Sequence, residues 1–278
     1  MTPAIATVRA DCAADPAGTL TFDLTVPAPA PAAVLLLRRR GAAGDRPGGT
    51  VRIPLDGAGP GRLRAVLPAT TGLSEGRWDA YVEQPGSETP RAVEPGLRDL
   101  RALVDRSPDT GAASVSARVP YPTADGRLAL RCWVRAPHAE AGDVVVGPAG
   151  MTVEGMLYGV AVGEGAAVEA RLPEDPARTH SFPLTPAGGP SGGFAFTLPY
   201  GPPAAEGPVH AAQLWQLWLV PAAGAARVRI SRILDDVWSR HKSFVYPARE
   251  AAPGVLATPS YTADNDLCLR LEPGPAGR

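Results

Sequence analysis

The densest group of chemically active side chains lies in one short segment, residues 235–246. Its predicted ligand-binding residues are Asp235, Asp236, Arg240, His241, Lys242 and Tyr246. Arginine and lysine can bind a phosphate, carboxylates can accept hydrogen bonds from sugar hydroxyls, and histidine can transfer protons near neutral pH. The alternative is a solvated connection between strands, because polar connecting segments usually lie on the surface. The segment is a candidate binding site in which no catalytic residue can be assigned.

Two tryptophans three residues apart form a second candidate. Trp215 and Trp218 lie in the strand-like run Leu214–Val220, so their side chains point to opposite faces of a strand. An exposed indole can stack on a sugar ring or an apolar ligand. The alternative is that both pack in a core, since β-sandwiches often bury tryptophan. We include both residues in the predicted ligand-binding set.

Other motifs favour structural roles. Asp264–Asp266 supplies too few oxygen ligands for Ca²⁺ and favours a turn, and Arg38–Arg40 favours a solvated strand edge over a phosphate contact. The pattern G-x-S-x-G occurs at 72–76 and 189–193, but neither match has the strand before and the helix after that a nucleophile elbow needs. The histidines lack metal-ligand spacing. The sequence therefore predicts no metal and no cofactor.

Charge and cysteine usage restrict the partners and the compartment. The chain has 27 basic and 28 acidic residues, a poor match to nucleic acid. Cys12, Cys132 and Cys268 are widely spaced without a CxxC motif, which favours buried, reduced thiols. The N-terminal residues lack the apolar core of a signal peptide, and no apolar run is long enough to span a membrane. We expect a cytoplasmic location, no nucleic-acid partner and no membrane span.

The elements that position these residues are predicted to be strands. The 278 residues include 31 glycines and 32 prolines, which disfavour helices, while 45% hydrophobic residues allow a core. An all-β fold with many short strands fits this composition. Alternation of apolar and polar residues predicts half-buried strands at 19–26, 62–67, 127–134 and 227–230. Continuous apolar runs predict strands covered on both faces at 34–37, 144–146 and 214–220. Short helical turns are predicted at 97–104 and 233–238.

An internal repeat predicts how the strands are organised. Thr123–Arg131 matches Thr262–Arg270 at an offset of 139, and Trp78–Val82 resembles Trp215–Leu219 at an offset of 137. This order predicts two tandem immunoglobulin-like β-sandwiches with an extra C-terminal strand. The predicted boundaries are 1–112 for the first sandwich, 113–258 for the second, and 259–278 for the C-terminal strand and tail. That last segment either pairs with the second sandwich or begins a third copy.

Three landmarks carry a family resemblance: Leu198–Pro199 before the tryptophan strand, the run Arg229–Asp236, and the run Pro259–Leu267. Together they resemble the tandem β-sandwich modules of actinobacterial proteins associated with glycosyltransferases and CDP-glycerol glycerophosphotransferases. The resemblance implies an accessory or ligand-binding role in such a transferase system, with a glycosyltransferase or a glycan as partner. It carries over no catalytic residue. The alternative function is an enzyme of small-molecule biosynthesis, with a pocket in the second sandwich or between the two.

Overall fold

The computed structural model describes residues 7–26, 32–41, 49–109, 112–186 and 192–274. Residues 189–191 of the second G-x-S-x-G match lie outside these ranges. The chain divides into two compact units that interleave along the sequence. The first contains the described residues of Met1–Ser107, Ser116–Val134 and Leu234–Trp238, and the second those of Pro108–Val115, Arg135–Ile233 and Ser239–Arg278.

The first unit is built from strands in two layers. Its strands are β1 (Val8–Ala14), β2 (Leu20–Thr25), β3 (Val34–Arg39), β4 (Thr50–Pro54), β5 (Asp56–Gly59), β6 (Arg62–Leu67), β7 (Gly76–Glu83), β8 (Arg91–Asp99), β9 (Val115–Pro122) and β10 (Leu128–Arg135). One layer has the order β8-β1-β2-β6-β5, the other joins β4, β3, β7, β10 and β9, and β8 connects the two because it also pairs with β7. A 3-10 helix spans Arg101–Leu103.

The second unit repeats this construction with more strands. They are β11 (His138–Val146), β12 (Gly150–Tyr158), β13 (Ala167–Leu172), β14 (Asp175–Pro183), β15 (Thr185–Pro186), β16 (Gly193–Pro199), β17 (Gln213–Val220), β18 (Val228–Ser231), β19 (Arg249–Ala252), β20 (Val255–Tyr261) and β21 (Leu267–Pro273). One layer has the order β15-β16-β12-β11-β18, the other joins β14, β13, β17, β21, β20 and β19, and β18 connects the two because it also pairs with β17. Two short helices are present, α1 (Gly201–Ala205) and α2 (Arg240–Ser243).

Each unit encloses its own hydrophobic core, which confirms the predicted all-β, two-sandwich architecture. Trp78 and Phe22 are fully buried in the first core, and Trp215 and Phe196 in the second. Burial alternates along most strands, as in β6, whose even positions are exposed and whose odd positions are buried. This alternation is the physical basis of the sequence pattern, because successive side chains of a strand point to opposite faces.

Two strands predicted to be covered on both faces are not. In β17, Trp215 is buried while Gln216 and Trp218 are partly exposed, and in β11 Val145 is 64% exposed. Apolar residues on the outward face produced the continuous pattern without producing burial. The helical turn predicted at 233–238 was also wrong, since the short helix α2 begins only at Arg240.

The repeated motif forms the same hairpin turn in both units. In each copy the threonine N–H donates to the backbone oxygen four residues on, at 2.8 Å for Thr123 with Arg127 and for Thr262 with Asp266. Each turn needs a left-handed residue, supplied by Gly126 with φ 75° and Asn265 with φ 62°. The self-similarity of the sequence therefore reflects a shared turn that joins β9 to β10 and β20 to β21.

The C-terminal strand pairs with the second unit. Strand β21 runs antiparallel to β17, with Leu269 opposite Trp215, just as Leu130 of β10 lies opposite Trp78 of β7. The boundaries at 112 and 258 stay a prediction about the linear sequence. In the described part of the chain, helices of membrane-crossing length and hydropathy are absent.

Candidate functional site

The predicted segment 235–246 is shared between the two units. Asp235 and Asp236 belong to the first unit, whereas Arg240, Lys242 and Tyr246 belong to the second. The two parts are described with their own units below.

The carboxylates of the first unit lie in a tight turn. Asp235 is buried, and its Oδ1 accepts a hydrogen bond from the N–H of Val237 at 2.8 Å. Asp236 is partly exposed beside it. Trp238 stacks on Tyr121 with ring centres 4.4 Å apart. These contacts anchor the segment on aromatic packing and a carboxylate-capped turn.

Arg240 is a buried residue that packs against other residues of the second unit. Its guanidinium lies over the rings of Phe244 and Tyr261, at 4.5 and 5.6 Å from their centres, and its Nε donates to the backbone oxygen of Arg232 at 3.2 Å. Burial lowers the pKa of Arg240. Side chains and backbone of its own unit thus surround this cation, and its role in ligand binding stays a prediction.

The neighbouring predicted residues are more accessible. His241 and Lys242 are exposed on α2, with His241 Nδ1 3.3 Å from the Ser239 hydroxyl. Tyr246 is partly buried against Tyr261, with ring centres 6.4 Å apart. Arg240 and Tyr246 therefore both pack against Tyr261, while His241 and Lys242 lie at the surface.

The triplet Asp264–Asp266 forms the predicted turn. The buried side chain of Asn265 accepts a hydrogen bond from the N–H of Arg240 at 2.9 Å. Asp266 accepts one from the Ser231 hydroxyl at 2.7 Å and pairs with Arg229 at 3.4 Å. Among the described residues, no three His, Cys, Asp or Glu side chains come close enough together to hold a metal ion.

Trp218 lies at the centre of a charged surface on the outward side of β17. Glu169 of β13 pairs directly with Trp218 on one side, and Arg229 of β18 pairs with it on the other. Because paired residues of neighbouring strands share a face, these side chains form one row. We call this surface the Trp218 strip and define it as Glu169, Arg171, Trp218, Arg227, Arg229 and Asp266.

The carboxylate of Glu169 is held by two arginines of the strip. Arg227 Nε donates to Glu169 Oε2 at 2.5 Å, and Arg171 Nη1 donates to the same oxygen at 3.1 Å. Burial alone would raise the pKa of Glu169, but these hydrogen bonds and charges outweigh it and hold the pKa below its usual value. Within the described residues Oε1 accepts no hydrogen bond, so a ligand hydroxyl has an ionised acceptor beside the indole.

Arg229 lies over the Trp218 ring. The Cζ of Arg229 is 5.3 Å from the ring centre, within the distance of a cation–π contact. The side chain of Arg229 is 44% exposed, and the indole is itself partly exposed. The strip therefore presents a partly exposed indole with a guanidinium over it.

Sequence reasoning missed a second polar group of this unit. Arg178 and His180 on β14 lie over the indole of Trp215, at 5.2 and 5.5 Å from the ring, and Glu206 stands beside both. We call Arg178, His180, Glu206 and Trp215 the Arg178 cluster. The signal that could have found it is the alternation of Arg178, His180 and Phe182, which places all three on one face of a strand.

Comparison with known proteins adds only a weak structural likeness. No protein-family model matches the chain, and no curated protein matches it. A crystal structure of S. aureus TarS matches 69% of this chain and 35% of its own length, with 17% identity and a TM-score of 0.32. A crystal structure of S. aureus TarS 217–571 matches 70% and 56%, with 18% identity and a TM-score of 0.32. The chain thus spans between a third and somewhat over half of these solved chains.

Proposed function

We propose that this protein is a non-catalytic accessory module that binds a glycan or a polyol phosphate polymer on the Trp218 strip of its second unit. The observation that carries the proposal is a partly exposed indole flanked on both neighbouring strands by charged side chains, Glu169 and Arg229. Flat polar–aromatic surfaces of this kind suit an extended polymer better than an enclosed small molecule.

The indole and the open carboxylate oxygen support sugar recognition. An aromatic face binds the C–H groups of a sugar ring by dispersion and hydrophobic contact. Glu169 Oε1 is an ionised acceptor for a sugar hydroxyl, and hydrogen bonds to charged groups are stronger than neutral ones. The two contacts together select a ring that is apolar on its face and hydroxylated at its edge.

The charge of the strip favours an anionic polymer over a neutral one. Three guanidinium groups, those of Arg171, Arg227 and Arg229, stand against two carboxylates, those of Glu169 and Asp266. The guanidinium groups of Arg227 and Arg229 are on side chains 47% and 44% exposed, which a phosphate can reach. Arginine forks match phosphate oxygens well.

The link to a transferase system has a separate basis. It rests on the sequence resemblance to modules of actinobacterial proteins associated with glycosyltransferases and CDP-glycerol glycerophosphotransferases. The immunoglobulin-like topology and the cytoplasmic location likewise stay predictions from the sequence. In this proposal the protein supplies polymer binding, and a separate enzyme supplies the transfer chemistry.

Titration calorimetry with poly(glycerol phosphate) and with a neutral β-glucan tests the proposal. We expect the anionic polymer to bind more tightly, with an affinity that falls as salt rises. Trp218→Ala should weaken binding by roughly three- to tenfold, the range expected for one aromatic contact. Arg227→Gln should weaken binding of the anionic polymer more than of the neutral one.

Tyr81→Ala is the matched control, because Tyr81 is the counterpart of Trp218 in the first unit. Arg38 lies over its ring at 5.4 Å, much as Arg229 lies over Trp218. This variant should leave polymer binding unchanged. Equal losses in both variants, or none in Trp218→Ala, would contradict the proposed binding surface.

A further inference from the structure

The Arg178 cluster lies on the opposite side of β17 from the Trp218 strip. His180 pairs with Ala170 of β13, whose side chain is buried in the core, so His180 and Arg178 share the inward face of the edge strand β14. Both side chains lie over Trp215, which is fully buried and whose Nε1 donates to Gln213 Oε1 at 3.2 Å. The indole is therefore fixed beneath an arginine and a histidine side chain.

Three nitrogen atoms of this cluster lack hydrogen-bond partners among the described residues. They are Nε and Nη2 of Arg178 and Nε2 of His180, and all three are inaccessible to water. A buried unpaired donor destabilises the folded state, so native proteins rarely keep several of them together without a reason. The three donors belong to side chains two positions apart on one strand, so they point to a common acceptor.

The resident acceptor does not satisfy them. Glu206 Oε1 lies 3.0 Å from His180 Nε2, and Glu206 Oε2 lies 3.6 Å from Arg178 Nε. Both are ion-pair distances, but neither approach has the geometry of a hydrogen bond. One planar carboxylate thus neutralises charge in the cluster and leaves its donors unused.

We propose that the Arg178 cluster is a binding site for the phosphate group of a small molecule, and that Glu206 occupies the anion position when the site is empty. A tetrahedral phosphate presents more acceptor oxygens and more charge than a carboxylate, which suits three nitrogen atoms on an arginine and a histidine side chain. This site is independent of the polymer-binding surface proposed above.

The position of Glu206 allows its carboxylate to move away from Arg178 and His180. It follows α1 directly, its side chain is 32% exposed, and the next residue is Gly207 with φ 147°. Glycine adopts this backbone conformation without strain, which makes the connection after Glu206 easy to rearrange. When the carboxylate turns outward, a phosphate takes its place over Arg178 and His180, with the rest of the molecule toward solvent.

The first unit lacks the cluster, which argues against a purely structural role. Trp78, the counterpart of Trp215, donates its Nε1 to the backbone oxygen of Ser74 at 3.0 Å. In the described part of that unit no arginine or histidine stacks on Trp78. Burying this tryptophan therefore does not require an arginine and a histidine above it.

Calorimetric titration of the full chain with inorganic phosphate tests the proposal. Glu206→Gln should bind phosphate about tenfold more tightly than the wild type, because the competing carboxylate charge is gone. Arg178→Gln and His180→Gln should each weaken binding about tenfold or more. Arg270→Gln, which removes another arginine of the same unit, is the matched control and should change nothing.

The outcomes separate a site from a structural ion pair. Urea unfolding of each variant checks folding, and Arg178→Lys, which keeps the charge but loses the fork, replaces Arg178→Gln if that variant does not fold. No saturable binding in either the wild type or Glu206→Gln would overturn the proposal. So would acetate competing as well as phosphate, or equal losses in Arg270→Gln. Trp218→Ala should bind phosphate normally, so the polymer-binding proposal and the phosphate-binding proposal can be contradicted independently.

Discussion

The two units carry the same pair of aromatic residues at equivalent places. Trp78 and Tyr81 of β7 correspond to Trp215 and Trp218 of β17, each at an offset of 137 residues. Both inward tryptophans are fully buried, and an arginine lies over each outward ring, at 5.4 Å for Tyr81 and 5.3 Å for Trp218. A buried indole and an arginine-capped outer aromatic thus belong to the shared scaffold.

The surroundings of the outer ring differ between the units. Tyr81 pairs with Leu36 and Ala92 on its two neighbouring strands, whereas Trp218 pairs with Glu169 and Arg229. This difference shows which neighbouring residues the packing of the outer ring requires and which it does not. An aromatic residue at this position does not require charged residues paired with it on both neighbouring strands, so the charges paired with Trp218 are available for another purpose.

Replacing the inner tryptophans should produce the largest effects and tests the equivalence directly. Trp78→Ala and Trp215→Ala each remove a fully buried indole, and the lost contacts together with the cavity should cost about 3–5 kcal/mol. Each variant should destabilise mainly its own unit, because each unit has a separate core. Urea unfolding measures the loss. A loss of unfolding free energy below about 1 kcal/mol in either variant would show that the two tryptophans are not equivalent core residues.

The cysteines report which unit has opened. Burial raises the pKa of Cys12, Cys132 and Cys268 to about 12, so at neutral pH their thiols stay protonated and unreactive in the folded protein. Cys12 and Cys132 lie in the first unit and Cys268 in the second. Mass spectrometry after thiol labelling should find Cys268 labelled first in Trp215→Ala. The first-unit thiols should be labelled first in Trp78→Ala.

The sequence predicted the scaffold well because burial leaves a periodic trace. The strands around Leu24, Leu63 and Ile230 were predicted from alternation, and the repeat predicted the equivalence of Trp78 and Trp215. The candidate surfaces left a weaker trace. Glu169 and Arg229 become neighbours of Trp218 only through pairing between strands distant in the chain, and alternation cannot say which strands pair.

Sequence reasoning missed the Arg178 cluster for a related reason. Arg178 and His180 look like solvent-facing residues in a polar stretch, yet they face inward at the edge of the sheet. Glu206 reaches them from the turn after α1, a connection that no local pattern indicates. Conversely, Arg240 and Lys242 are predicted alike from the sequence, although the structure buries the first and exposes the second. Spacing along the chain carries no information about such tertiary packing.

The charges beside Trp218 should stabilise the protein near neutral pH and lose this contribution in acid. The pKa of Glu169 is lowered in the folded state, so its contribution is present above the unfolded-state pKa and is lost as the pH falls through the folded-state pKa. Glu169→Gln should therefore reduce stability near neutral pH by up to about 1 kcal/mol and flatten the decline below about pH 4.5. Urea unfolding from pH 7 to pH 3 measures both effects.

Arg227→Gln sharpens that test, because Arg227 supplies the shorter of the two hydrogen bonds to Glu169. It should remove part of the same acid-dependent stability, and the double variant should lose little more than Glu169→Gln alone. Strictly additive losses would mean that the two side chains are not coupled, and the strip would then be a set of independent surface charges.

Replacing the outer aromatic residues should produce the smallest change in stability. Trp218→Ala and Tyr81→Ala each remove a partly exposed ring and one contact with an arginine, which is worth about 0.5–1 kcal/mol at an exposed site. Urea unfolding should therefore give losses of about 1 kcal/mol or less for both. If Trp218→Ala instead destabilised the protein as strongly as Trp215→Ala, the ring of Trp218 would be part of the packed core. That result would contradict its proposed role as an exposed ligand-binding residue.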